Sequence, residues 1–453
     1  MKETFNQYEK TKQLLTILFP ILITQLSMYA MNFFDTMMSG HYSSVDLAGV
    51  AVGSSLWVPV YTGLSGILIA VTPIVSQFIG GSKEEDVAFT VIQAAYLAVF
   101  MALVTIVVGG FAITPIVSSM SLEKEVEIVA HDYLVALGIG IFPLFLVHVL
   151  RNFMDALGKT QVTMMVMLSA FPINAFLNYV FIYGKLGLPD FGGVGAGYAS
   201  AITYWILLMI TIGIILRKRP FSVYRIFDKL FRISFLEWKE LLVIGVPIGF
   251  AIFFETSIFA AVTLFMSGYD TVTIASHQAA LNFASFLYMV PLSISMALTI
   301  VVGFEAGAKR YRDAIQYSII GISIAVGMAI LCGLGLFVFR EQIAGIYSGD
   351  EKVIQLTAQF LVYALFFQLS DAIQAPVQGA LRGYKDVNIT FLMAFISYWI
   401  IGLPVGYLLA QMTVLGAIGF WVGLIAGLAV GATTLLIRLL FIQKKKLGEH
   451  HSI

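Results

Sequence analysis

Charge is what this chain lacks most. Of its 453 residues only 11% are Asp, Glu, Lys or Arg, where a typical soluble domain carries roughly 25%. So few charges cannot cover a water-facing surface, which excludes a soluble enzyme. Lys and Arg number 26, as do Asp and Glu, so no net charge points to nucleic acid. The single Cys332 lies in an apolar run, and this excludes an internal disulfide framework. No phosphate loop, nucleophile elbow or paired-cysteine motif is present, so nothing reads as ATP hydrolysis, a resident cofactor, or a structural or catalytic metal. His148 and His277 lack companions spaced as zinc ligands; both fall toward expected helix ends, where water should reach them. Met1 to Lys12 is polar and the first apolar run is long enough to stay as a span, so no cleavable signal is expected.

What the chain has instead is hydrocarbon: 59% hydrophobic residues and a mean hydropathy of +0.91. Apolar runs broken by Gly, Pro and charge clusters predict an all-α polytopic membrane protein of twelve helices. They are expected near 13–38, 46–79, 87–115, 127–153, 160–183, 194–216, 240–266, 272–304, 313–339, 353–380, 387–410 and 414–442. With this count, all Lys and Arg except Lys124, Lys185, Arg340 and Lys352 fall on one side of the membrane. The positive-inside rule then places both termini in the cytoplasm. Losing one span midway would scramble that asymmetry. The organisation expected is a six-helix lobe over 1–216, a basic cytoplasmic linker over 217–239, a second six-helix lobe over 240–442 and a cytoplasmic tail over 443–453. The linker, basic and aromatic, reads as a connection or as an amphipathic segment along the anionic inner leaflet.

The two halves repeat. Pro20 has its counterpart at Pro247, and at that offset Val45 meets Val272, Ala48 meets Ala275 and Gly80 meets Gly307. Met38-Ser39-Gly40 matches Met266-Ser267-Gly268 with one residue of slip, and Ala156-Leu157 and Gly195-Ala196 match Ala380-Leu381 and Gly416-Ala417. Six spans per half is an even number, so both halves enter the bilayer from the same side. They form a parallel repeat related by an axis along the membrane normal, as in secondary transporters.

Polar groups inside such spans are costly, about 2.5–3.5 kcal/mol for a charge, and so ask for a function. Three carboxylates qualify: Asp35, Glu255 and Asp371. At ~1.5 Å per residue, Glu255 and Asp371 sit near the midplane of one half, while Asp35 lies in the outer part of the first helix. No Lys or Arg is expected at those depths to neutralise them. Asn174 and Asn178, spaced i,i+4 after Pro172, share one helix face at the depth of Asp35. One carboxylate and two amide oxygens at one level make a set of hard oxygens suited to Na⁺, or to a proton held on the aspartate. Asp371, Gln374 and Gln378 form a second polar stripe, around Pro376, and Gln278, Asn282 and Ser285 a third. For Gln278 and Asn282, interhelical hydrogen bonding and ligand contact are equally open.

The segment from Pro20 through QLSMYAMNFFDTMMSG, with Asp35 near its end, the FFE around Glu255, and Asp371 in LSDAIQAPVQGALRGYKD resemble the multidrug and toxic compound extrusion (MATE) family, NorM-like branch. The resemblance covers essentially the whole chain. It implies secondary active multidrug efflux: antiport of amphipathic organic cations, drugs and dyes, against Na⁺ (preferred, given the C-half acids) or H⁺. It further implies an N-lobe cation site of Asp35, Asn174, Asn178 and Ser200, and a C-lobe site of Glu255 and Asp371. Drug contacts would come from Gln278, Asn282, Tyr288, Asp350, Gln374 and Gln378, lined by aromatic and methionine side chains. Phe367 departs from the pattern, since some relatives carry Tyr there. A monomer in a bacterial inner membrane, embedded in the lipid bilayer, is expected. The rival readings are a lipid-linked oligosaccharide flippase of the same superfamily, which should hold several Arg or Lys within its spans, and a major-facilitator transporter, whose loop signature is replaced here by GGSKEED. A membrane-embedded enzyme or a channel fits the pattern less well.

Overall fold

The computed structural model describes residues 1–451 apart from Ser121, Leu230 and Ser267; the side chains of Phe33, His450 and His451 also lie outside the description. The Met266-Ser267-Gly268 element of the repeat and the end of the tail therefore fall partly outside it. Among the described residues all regular structure is helical. Twelve helices are long and apolar enough to cross a membrane: α1 (Gln7–Tyr42), α2 (Ser44–Gly80), α3 (Glu84–Ser119), α4 (Lys124–Ala156), α5 (Thr160–Ile182), α6 (Gly193–Arg217), α7 (Phe235–Met266), α8 (Thr271–Gly307), α9 (Tyr311–Tyr347), α10 (Glu351–Gly383), α11 (Asn388–Met412) and α12 (Ile418–Glu449). They coincide with the twelve apolar runs of the sequence. Several extend past the apolar run by a turn or more, because charged first turns such as Glu84-Glu85-Asp86 favour a helix N-terminus.

Among the described residues three helices are interrupted, α9 by a kink at Phe339 (φ −103°, ψ 15°). Helix α2 is interrupted between Leu68 and Val71. Helix α11 carries a π-turn over Ile396–Gly402, just before Pro404. Proline has no N–H to return to the preceding turn, so the ladder widens there and turns Tyr398 inward, where it is 3% exposed.

The chain forms two compact units, one of Ile23–Gly249 and one of Met1–Leu22 with Phe250–Ile453. In the first, α4 is central and packs most heavily on α6, α2 and α3. In the second, α10 holds the same place against α8, α9 and α12. The fourth helix of each set of six is thus the hub, so the repeat read from Pro20 and Pro247 is written in the packing as well. Small residues make this possible. A β-carbon on Gly379 would meet the Ser295 Cα at 2.6 Å, and Thr299 Oγ1 donates to the Gly379 carbonyl at 3.0 Å. Close backbone approach of this kind is how membrane helices gain contact without a hydrophobic driving force.

The first turns of α1 belong to the second unit. Leu14, Ile17, Leu18 and Ile21 join a core with Ile294, Leu298, Val301 and Leu381. Lys10, 1% exposed, bonds Asp313 at 3.0 Å and the Thr4 carbonyl at 3.1 Å. The connection between α6 and α7 is held by the first unit: Gln93 Nε2 donates to the Arg232 carbonyl at 2.7 Å and Gln93 Oε1 accepts from Ser234 N at 2.9 Å.

His277 corrects an expectation. It is 1% exposed, accepts from Trp421 Nε1 at Nδ1 (3.2 Å) and lies 3.1 Å from the Thr263 hydroxyl. The aromatic wall of Phe360 and Trp421 closes water out. His148 is half-buried and bonds the Tyr61 hydroxyl.

Candidate functional site

In the unit Ile23–Gly249, three helices bring together the four residues expected there. Asp35 on α1 is 5% exposed, Asn174 and Asn178 on α5 are 1% and 0%, and Ser200 on α6 is 2%. Asn178 Nδ2 donates to Asp35 Oδ1 at 2.6 Å, and the Ser200 hydroxyl donates to Asp35 Oδ2 at 3.1 Å. Asn178 Nδ2 also reaches Asn174 Oδ1 at 3.0 Å, while Asn174 Nδ2 donates to Ser200 Oγ at 3.2 Å, closing a ring of four side chains.

The local sequence explains the ring. The i,i+4 spacing of the asparagines puts both amides on one face. Helix α6 opens on GVGAG, and a β-carbon on Gly195 would meet the Phe181 carbonyl carbon at 2.6 Å. That contact brings Ser200 up to α5. Asp46 from α2 accepts from Gly193 N and so seats the start of α6. One atom of the ring is left over: Asn178 Oδ1 is buried and has no hydrogen-bond partner among the described residues. A buried orphan carbonyl beside a buried carboxylate costs stability unless something fills the place. Tyr133 and Tyr204, which sequence reasoning missed, lie within electrostatic reach of Asp35. Nothing in their spacing set them apart from other membrane tyrosines.

In the other unit, Asp371, Gln374, Gln378 and Arg382 lie along one face of α10 and are each 5% exposed or less. Gln378 Nε2 donates to Glu255 Oε1 on α7, and Gln378 Oε1 accepts from Arg382 Nη2 at 3.4 Å. Gln374 Nε2 donates to the Tyr398 hydroxyl at 2.8 Å. Gln374 Oε1 and Gln368 Oε1 are buried without partners among the described residues. Among the described residues Asp371 makes no hydrogen bond, although it lies within electrostatic reach of Glu255. Tyr288 lies within reach of both acids.

Arg382 overturns the expectation that no cation lies among the acids. It is 4% exposed, because α10 continues to Gly383 and the arginine falls four residues after Gln378 on the same face. Arg151 is equally buried on α4 and pairs with Asp155 at 3.5 Å. The remaining expected residues sit elsewhere. Gln278 and Asn282 are exposed on α8, where Asn282 accepts from the Tyr347 hydroxyl at 3.2 Å. Asp350 caps α10 by accepting from Lys352 N at 2.9 Å. Phe367 is packed among Phe259 and Trp421.

Each half thus folds a buried carboxylate cluster with a spare amide oxygen among the described residues. The MatE family model matches residues 20–180 and again residues 247–408. The chain belongs to the MatE family. The two MatE matches open at Pro20 and Pro247, the same pair from which the repeat was read. Among relatives, the "Probable multidrug resistance protein NorM" of Bacillus subtilis strain 168 is 59% identical, with 100% of each chain covered. That of Halalkalibacterium halodurans is 55% identical over 98% of this chain and 97% of the relative. The solved structure of a eukaryotic MATE transporter superposes with a TM-score of 0.87 at 22% identity, covering 98% of both chains. A Vibrio cholerae MATE transporter in its bent form gives 0.84 at 18% identity, covering 97% of this chain and 98% of that one. At such identity the structures speak for the MatE fold alone.

Proposed function

We propose that this MatE protein is a secondary active multidrug exporter: a cation antiporter that couples inward Na⁺, in preference to H⁺, to outward movement of amphipathic organic cations. The observation that carries the reading is the buried ring around Asp35. Its carboxylate and the orphan oxygen of Asn178 are hard-oxygen donors that, among the described residues, no Lys or Arg bonds. In the ring the Asn178 amide N–H and the Ser200 hydroxyl hold the carboxylate. A cation entering the ring needs oxygens, which Asn174 and Asn178 supply by turning their amides. Glu255 and Asp371 serve in the same way in the second cluster. Alternating access exposes the clusters first to one side and then to the other, so that ion and drug compete for the same negative charge. The names of the NorM relatives support export of drugs. Polyspecificity follows from a tolerant apolar lining, rich in the chain's 36 Phe and 18 Met, with charge as the shared requirement.

The distribution of Lys and Arg supports cytoplasmic termini, and twelve spans support a multi-pass protein of the inner (plasma) membrane. We take it to act as a monomer of two six-helix lobes, 1–216 and 240–442. The test is efflux of a fluorescent cationic dye from proteoliposomes with Na⁺ and H⁺ gradients imposed independently. Dye movement under Na⁺ alone supports the whole proposal. Movement under H⁺ alone keeps the antiporter and overturns the ion preference. No movement under either refutes it and returns the flippase reading.

A further inference from the structure

We infer that Arg382 is a specificity-determining residue: it cancels one carboxylate of the Glu255–Asp371 cluster, leaving a single negative charge that selects monocations over dications. The inference rests on the proposed role of that cluster in cation binding and goes beyond it to the charge class of the cargo. A guanidinium stays protonated under all ordinary conditions, so a buried one is a permanent positive charge. Arg382 is 4% exposed and, among the described residues, makes no direct ion pair. Its route to an acid is a relay: Nη2 to Gln378 Oε1 at 3.4 Å, and Gln378 Nε2 to Glu255 Oε1. The glutamine amide passes the polarity along, donor facing the acid and acceptor facing the arginine. Glu255 is therefore the carboxylate already answered inside the protein. Asp371, with no hydrogen bond, is the one left for a guest.

The other unit reaches the same charge by a different route. There Arg151 has Asp155 beside it on the same helix, at 3.5 Å, so the pair closes on itself and Asp35 stands as the one unanswered carboxylate in its ring. Two acids plus one arginine in one cluster, and one acid in the other, give the same formal charge of minus one. The bland alternative is that Arg382 only satisfies the C-terminal end of α10, as cations near helix ends commonly do. In that case its loss would lower stability without changing which cargo is preferred.

The experiment measures uptake of tetraphenylphosphonium, a monocation, and 1,1′-dimethyl-4,4′-bipyridinium, a dication, in proteoliposomes carrying the full-length protein. Compared are the wild type, Arg382→Gln, Glu255→Gln and the double variant. Arg382→Gln is expected to raise the dication-to-monocation ratio of kcat/KM by about tenfold. Glu255→Gln, which leaves the cluster formally neutral, is expected to depress monocation transport, and the double variant to restore both the wild-type ratio and monocation transport. Recovery of Glu255→Gln by a second substitution cannot come from a merely structural role, and it remains readable if Arg382→Gln alone fails to fold. A ratio unchanged within twofold in Arg382→Gln, or a double variant no better than Glu255→Gln, overturns the inference while leaving the cluster's role intact. Transport of neither cation by the wild type overturns the cluster's role, and this inference with it.

Discussion

Replacing Asp35 by Asn removes a charge and almost nothing else. The amide oxygen of an asparagine at 35 still accepts from Asn178 Nδ2, which lies 2.6 Å from Asp35 Oδ1. Its Nδ2 takes the place of Oδ2, 3.1 Å from Ser200 Oγ, and the hydroxyl can rotate from donor to acceptor. The hydrogen-bonding cost is then on the order of 1 kcal/mol or less. Removing a buried charge also relieves desolvation, so the Tm should not fall. The effect on a bound cation is much larger. Two unit charges about 4 Å apart at an effective dielectric constant near 20 attract by about 4 kcal/mol, which is roughly 10³ in affinity. Ion-driven efflux of a cationic dye in proteoliposomes should therefore lose its dependence on the coupling ion over any accessible concentration. Thermal unfolding of the purified variant is read alongside. A variant that keeps its ion dependence to within about threefold of wild type would refute the reasoning, because the ring would then be a packing device. Equal behaviour of Asp371→Asn would complete the refutation.

Gly379→Val should drive α10 from α8, since a β-carbon there already meets Ser295 Cα at 2.6 Å; a loss of about 3 kcal/mol is checked by the Tm in detergent, and an unchanged Tm sinks it. Lys10→Met keeps the buried stem but deletes the bond to Asp313, 27% exposed, so the loss should stay below the ~3–5 kcal/mol of a fully buried pair. Trypsin should cut after Lys12 faster in that variant, and an unaltered rate would contradict the anchoring of the first residues.

The sequence made the ring legible for a physical reason. An i,i+4 amide pair and a carboxylate at one membrane depth have few other reasons to exist, and the helical period places them without knowledge of the fold. Ser200 had no such signature and came only from family resemblance. Arg382 was misplaced by where the apolar run stops, near Ala380. Yet the stripe from Gln368 through Asp371, Gln374 and Gln378 continues to Arg382 at helical spacing, so extending the period one more turn would have found it. Lys10 looked like any charge before the first span, and its burial depends on residues some 300 positions away, such as Asp313. Composition cannot predict that. The inward turn of Tyr398 depends on the π-turn before Pro404, where a local break in the ladder overrides the 3.6-residue period. Asp350, placed among the drug contacts by the family resemblance alone, also caps α10, since an acid just before a helix is what a cap needs.

If charge within the ring is what matters, rather than residue 35 as such, the carboxylate should be movable. In Asp35→Asn with Asn178→Asp, the acid and the amide exchange places, and three of the ring's four hydrogen bonds can be kept. An asparagine at 35 would donate from Nδ2 to the carboxylate at 178, and its Oδ1, in the place of Asp35 Oδ2, would accept from the Ser200 hydroxyl. Asn174 would turn its amide so that Nδ2 donates to position 178, which leaves Asn174 Oδ1 facing Ser200 Oγ with no proton between them. The distances of 2.6, 3.0 and 3.1 Å serve the three bonds kept, and the 3.2 Å contact is the one given up. The orphan Asn178 Oδ1 would become the second carboxylate oxygen, still aimed at the place a cation would fill. Asn178→Asp alone puts two carboxylates side by side and should fail by repulsion. The exchanged pair should recover ion-dependent efflux at least about tenfold over Asp35→Asn, about 1.4 kcal/mol. An exchanged pair no better than Asp35→Asn would mean that the position of the charge on α1, and not the charge of the ring, is what the transport cycle reads.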